Sequence, residues 1–164
     1  MERLIPTLVL LGVAGLVFAG MWWGWRRRSR AQQGLPAPPA PVEGSEVLAA
    51  PVEGMYVATT TAGDPYDRIA AHGLGLRTQA LVVATAAGLV IERSGTRDLL
   101  LPWEAITGVR AGQGMIGKFV EPAGLVIVGW RLGDTEVETG FRTRAAALRT
   151  PLIETIRRLH QEER

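Results

Sequence analysis

"GLVIVGWRLGDTEVETGFR", residues Gly124 to Arg142, decides the fold class. Gly124 to Leu132 is an apolar run of strand length, and Gly133-Asp134 makes a tight turn. After it, Val137, Thr139 and Phe141 face one way while Glu136, Glu138 and Arg142 face the other. That period of two belongs to a half-buried antiparallel strand. Upstream lie more runs of the same kind: Met55 to Thr61, Leu76 to Thr85, Leu89 to Arg93, the short "RDLLLP", and Ala105 to Ala111. Seven short strands at hairpin spacing indicate a sandwich or barrel. Downstream the period changes. Leu148, Leu152, Ile156 and Leu159 fall on one helical face, so Thr143 to Arg164 is expected to contain an amphipathic helix that caps an open barrel end. Thr143 can cap its start, and Pro151 implies either a kink or a start at Thr150-Pro151.

Between two of these strands sits "AGQGMIGKF", Ala111 to Phe119. Gly112, Gly114 and Gly117 match a dinucleotide-binding spacing, and Gly112 to Lys118 nearly matches a phosphate loop. Both matches fail on mechanism. Pro122 and Gly124 lead into a strand, so no helix N-terminus meets a pyrophosphate. Position 119 is Phe, so the magnesium-binding hydroxyl is absent. The remaining account is a glycine connection between strands, carrying Lys118, the chain's only lysine, as a candidate contact for an anionic partner.

Composition narrows the rest. The chain has 164 residues, no cysteine and no asparagine, and its basic residues are 17 Arg and one Lys. It has room for one small domain and has no disulfide, thiol nucleophile or cysteine metal site. Five of the eighteen basic residues precede position 31, which leaves thirteen against fifteen acidic ones. The body of the chain is therefore slightly acidic, with scattered aromatics and no basic stripe, which argues against a nucleic-acid partner.

Leu4 to Trp25 carries no charge over 22 residues. As a helix it would span about 33 Å, enough for a hydrocarbon core of about 30 Å. Trp22, Trp23 and Trp25 cluster at one end, followed at once by Arg26, Arg27, Arg28 and Arg30. Indole rings favour the headgroup boundary, and the positive-inside rule places the arginine side in the cytoplasm. A cleaved signal peptide is the weaker reading, because the apolar run is long and an arginine cluster follows it. Residues 1–30 thus read as a single membrane anchor, N-terminus outside, whose arginines can also touch anionic lipid headgroups.

Residues 31–54 hold Pro36, Pro38, Pro39, Pro41 and Pro51 and read as a semi-rigid tether. "APVEG" occurs in it twice, at Ala40–Gly44 and Ala50–Gly54, a short slippage in a linker. "PAPPAP" has the composition of a polyproline ligand, although spacing alone accounts for its prolines.

Seven strands and a C-terminal helix follow the order of a pleckstrin-homology (PH) fold. "GDPYDRIAAHGLGLRTQA", "GKFVEPAGLVIVGW" and "ETGFR" resemble the membrane-anchored PH-like domain proteins of GC-rich Gram-positive bacteria. That resemblance covers about residues 55–160 plus the anchor. It implies one N-terminal transmembrane helix, genes near those of pyrimidine biosynthesis, and occasional labels of export or transport. The family has no established catalytic residues. The expected fold is mainly β with a C-terminal helix: a PH-like seven-stranded antiparallel barrel or sandwich in residues 55–164, preceded by the transmembrane helix.

The longest loop, Gly63 to Gly73, offers Asp64, Asp67, Arg68 and His72 as candidate partner-binding residues. Asp64, Asp67 and His72 could in principle form an acid–base or metal cluster, yet Asp64-Pro65 is also an ordinary turn starter. Trp103 and Trp130 are read as packing, and His160 as a solvated residue of the charged tail. No enzyme activity, cofactor or metal is expected. The expected role is a binding or scaffolding module recruiting a protein at the inner face of the plasma membrane. The alternative is an accessory subunit of a transport or export assembly linked to pyrimidine metabolism.

Overall fold

The computed structural model describes residues 10, 12–24, 34–115, 118, 119 and 124–163, with the backbone alone at 114, 115, 118 and 119. It divides the chain into two units, Met1–Gly34 and Leu35–Arg164.

In the first unit, residues 12–24 are helical. Among the described residues no helix is long and apolar enough to cross a membrane, in contrast to the expected transmembrane span. The expected anchor, Leu4 to Trp25, runs past the described residues at both ends. Trp22 and Trp23 lie exposed in the helix, while Trp25, Arg26, Arg27, Arg28 and Arg30 fall outside the described residues.

The second unit is built on β1 (Val52–Thr61), β2 (Thr78–Thr85), β3 (Gly88–Arg93), β4 (Leu99–Leu101), β5 (Ile106–Gly112), β8 (Leu125–Leu132) and β9 (Thr135–Thr143). They form one antiparallel sheet in the order β4-β3-β2-β1-β9-β8-β5, curled into a half-barrel. A small hairpin, β6 (Gly114–Met115) with β7 (Lys118–Phe119), stands between β5 and β8. The glycine stretch is thus a strand-to-strand connection. The opening hairpin forms as its alternation requires: Val137, Thr139 and Phe141 are buried, and Gly133 turns the chain with φ 61. Gly88, which opens β3, has φ 145, and a Cβ there would strike the Leu101 carbonyl.

The C-terminal helix, Arg149–Glu162, follows a 3-10 turn at Ala146–Leu148. Thr143 ends β9 instead of capping the helix, because the chain still needs a turn to leave the sheet; the cap position is Leu148, with no side-chain bond. Pro151 lies in the first turn, where a missing N–H costs no intrahelical bond, so no kink is needed. The buried stripe is Leu152, Ile153, Ile156 and Leu159, while Leu148 stays 42% exposed. Each buried side chain contributes about 1.5–3 kcal/mol of transfer free energy. They join Trp103, Trp130, Tyr56 and Phe141 in the main core.

A chain of hydrogen bonds runs through that core, and donor chemistry sets its direction. The Trp130 indole N–H can only donate, and it donates to Thr139 Oγ1 at 2.9 Å. The Leu74 carbonyl can only accept, and it takes the Tyr56 hydroxyl at 2.7 Å. Each hydroxyl has one proton, so Thr139 donates to Thr59 and Thr59 to Tyr56, both at 2.7 Å. Every polar group on this path is satisfied.

Residues 35–51, expected as part of a semi-rigid tether, lie along the domain as a strap. The His72 Nε2–H donates to the Leu35 carbonyl (2.9 Å), and the Leu100 N–H to the Pro39 carbonyl (3.2 Å). At the β2–β3 turn, the Ala86 N–H donates to the Glu46 carbonyl (2.9 Å), and the Ala87 N–H to Ser45 Oγ (3.2 Å). The Leu48 N–H donates to the Ala84 carbonyl (2.8 Å). Proline removes donors but leaves carbonyl acceptors, so a proline-rich segment can satisfy a sheet without becoming a strand.

Candidate functional site

The loop residues picked from the sequence do not converge. Asp64 Oδ1 accepts the Tyr66 N–H at 3.0 Å, the Asx turn its neighbour Pro65 suggests. Asp67 Oδ2 accepts the Thr61 hydroxyl at 2.7 Å. Arg68 forms a backbone bridge with Thr60, and its stem lies against Gly75. His72 adopts φ 54, a left-handed conformation that few non-glycine residues take, and holds the strap. Among the described residues, no three His, Asp or Glu side chains stand where they could hold a metal ion. The Lys118 side chain lies outside the described residues. His160 is half-buried, not solvated as expected: its Nδ1–H donates to the Trp103 carbonyl at 3.1 Å, because the helix stripe seats it on the 3-10 turn before β5.

A different set of residues does converge, on the outer face of β9, β1, β2 and β3. A cleft of about 740 Å³ lies there, lined by Met55, Gln79, the arginines Arg77, Arg142 and Arg144, and the carboxylates Glu53, Glu92 and Asp98. Sheet register explains the assembly. Met55 pairs with Arg142 on one side and Gln79 on the other, and Leu81 stands between Glu53 and Glu92. Alternate positions such as 77, 79 and 81, or 142 and 144, share one face. Gly54 is small out of necessity, since a Cβ there would strike the Arg142 carbonyl.

The charges on this face are unequally satisfied. Arg144 pairs with Glu53 at 2.9 Å, both largely exposed, so the pair is worth little to stability. Arg77 and Arg142 are exposed and have no carboxylate partner among the described residues; Arg77 Nε instead donates weakly to Met55 Sδ at 2.6 Å. Guanidinium groups left in this state present planar donor forks suited to carboxylate or phosphate.

Arg93 stands behind the cleft: it pairs in register with buried Ala80, so its side chain turns to the core face, and it is only 4% exposed. Its Nε and Nη2 donate to the Arg97 carbonyl (2.9 and 2.5 Å), and its Nη1 to the Gly73 carbonyl (2.9 Å). Its guanidinium carbon lies 4.8 Å from the centre of the Tyr56 ring. Burial pushes its pKa below the usual arginine value, opposed by Tyr56 and Asp98. Arg93 therefore locks the β1–β2 and β3–β4 connections together. Burial likewise raises Tyr56 to about 12, against lowering contributions from Thr59 and Arg93.

Sequence reading placed Arg142 outward but missed Arg77, Arg93 and Arg144 as a group. Positions 77 and 142 meet only through the β2-β1-β9 pairing, which no local pattern encodes. A family model described as bacterial PH domain-like matches residues 32–157. That match takes in the strap as well as the sheet. No curated protein and no solved structure matches the chain.

Proposed function

The chain belongs to the bacterial PH domain-like family, and on that premise we propose that it is a single-pass membrane protein displaying a non-catalytic binding module at the cytoplasmic face. The membrane half of this reading is supported by the uncharged 22 residues from Leu4 to Trp25 and by the arginines that follow them. The binding half rests on one observation above the others: Arg77 and Arg142 line a cleft of about 740 Å³ and have no carboxylate partner among the described residues, and the cleft is of a size typical of ligand clefts. A partner presenting carboxylates there would find two charge-assisted donors already in place. Because PH-like folds serve many partners, the reading comes from this cleft and not from fold alone.

Topology supplies the first test. A reporter fused after Arg164 of the full chain gives a cytoplasmic signal, and an extracytoplasmic signal refutes the orientation. Co-purification from native membranes then separates two roles. A soluble protein bound through the cleft fits recruitment. A polytopic membrane protein turns the reading toward an accessory subunit, since a lone helix without intramembrane charge cannot itself form a solute path.

A further inference from the structure

One apolar feature lies outside the main core. Val83, Val90 and Leu100 form a second cluster, 7%, 6% and 5% exposed. Register makes them a single cross-strand row, Val83 opposite Val90 and Val90 opposite Leu100. Their neighbours Val82, Ala84, Leu89, Ile91, Leu99 and Leu101 belong to the main core, so alternation points the row to the outer face. An outer-face row this dry is covered by something.

Chain geometry identifies the cover. The Pro39 carbonyl takes the Leu100 N–H on the side of β4 away from β3. Val47 bridges Thr85 while Gly88 pairs with Thr85 from the β3 side, so Val47 stands on the far side of β2. The strap therefore crosses β4, β3 and β2 between Pro39 and Glu46. That crossing is four strand spacings, about 19 Å, and seven residues reach at most about 25 Å. The inner face is filled by the core, and little length remains for a detour. A path over the outer face crosses the row, and Pro38 and Pro41 are half-buried while Gly44 turns the chain at φ 74.

We infer that the outer face of β2, β3 and β4 is a docking surface for an extended, proline-bearing segment, and that the chain occupies it with its own residues 38–48 as a detachable cover. The duplicated "APVEG" then has two fates. Ala50–Gly54 leads into β1, and Ala40–Gly44 lies across the sheet as the cover. Three features make the cover releasable apart from the sheet. None of residues 38–48 is fully buried. Pro38, Pro39 and Pro41 have no N–H, so the segment cannot add to β4 as a full strand. Among the described residues, its one backbone bond to β4 is the bond to Leu100. Release uncovers the row together with the free edge of β4, a pairing surface for an extended partner. None of this depends on the membrane reading or on the arginine cleft.

The test is amide hydrogen exchange on the full chain in detergent micelles. The Leu48, Ala86 and Leu100 amides report the strap, and those of Val128 and Phe141 report the sheet centre. A detachable cover opens as a unit, so the three strap amides exchange at one shared opening, at least tenfold faster than the centre. Ser45→Ala removes the bond to the Ala87 N–H without touching the row. It is expected to speed all three strap amides together by about fivefold, the effect of one hydrogen bond, and to leave the centre unchanged. Strap amides that exchange only with the sheet centre overturn the inference, and so does a Ser45→Ala effect confined to Ala87. Protection that grows with protein concentration places a second copy's segment on the surface and overturns the self-cover.

Discussion

Two chemically identical substitutions in the core are expected to have opposite signs. Thr139→Val keeps the side-chain shape but removes the hydroxyl that accepts the Trp130 indole N–H at 2.9 Å. Trp130 is fully buried, so that donor is left without a partner or water. An orphaned buried donor costs about 1–3 kcal/mol. Thr59 keeps its donation to Tyr56, so the damage does not spread along the chain. Thr60 is also fully buried, yet its Oγ1 has no partner among the described residues. Thr60→Val removes an unsatisfied hydroxyl and is expected to stabilise by about 1 kcal/mol. The two variants should therefore differ by roughly 2–4 kcal/mol. Urea unfolding followed by circular dichroism reads this directly: with m of about 2 kcal/mol per molar, the midpoints separate by roughly 1–2 M. A double-mutant cycle sharpens the result, since Thr139→Val should cost less once Trp130→Phe has removed the donor. Equal effects from Thr139→Val and Thr60→Val, or a cycle with no coupling, refute the directed chain.

Other outcomes follow from the same geometry. Tyr56 holds its proton to about pH 12 in the folded state against about 10 in the unfolded. Below pH 10 both states are protonated; above it the unfolded chain ionises first, so stability falls by up to roughly 1.4 kcal/mol per pH unit until about 12. Denaturant titrations across that window should show the slope, and Tyr56→Phe should flatten it. Arg93→Lys cannot reproduce three donations to Arg97 and Gly73 and should cost roughly 2–3 kcal/mol in thermal unfolding. Gly88→Ala meets both a positive φ and the Leu101 carbonyl; a loss of about 2 kcal/mol or more is expected, and a neutral result contradicts the turn geometry.

Local periodicity was enough to read the strands and the helix, because burial there repeats along the chain. The β8–β9 hairpin appears in the sequence as it stands in the structure. Its limits came wherever distance along the chain hides proximity in space. The prolines of residues 31–54 read as a semi-rigid tether, but the Pro39 carbonyl serves Leu100, and the Glu46 carbonyl and Ser45 hydroxyl serve the β2–β3 turn. Ile153 was missed and Leu148 wrongly included, since the turn at Ala146–Leu148 shifts the helix start. Arg93 ends the strand read at Leu89 to Arg93, just before a polar turn, and nothing local shows that it stacks on Tyr56. The loop that drew attention for Asp64, Asp67 and His72 uses those side chains to fold itself and to hold the strap.

The central claim is that Arg77 and Arg142 form the recognition face of a membrane-displayed module. The most direct measurement is chemical cross-linking of the full chain in native membranes, comparing wild type with Arg77→Glu/Arg142→Glu. Both side chains are exposed, so the variant should unfold at the wild-type temperature. A discrete partner is expected to be joined to the wild type, weakened by added salt and lost in the variant. A partner captured equally by both proteins would contradict it.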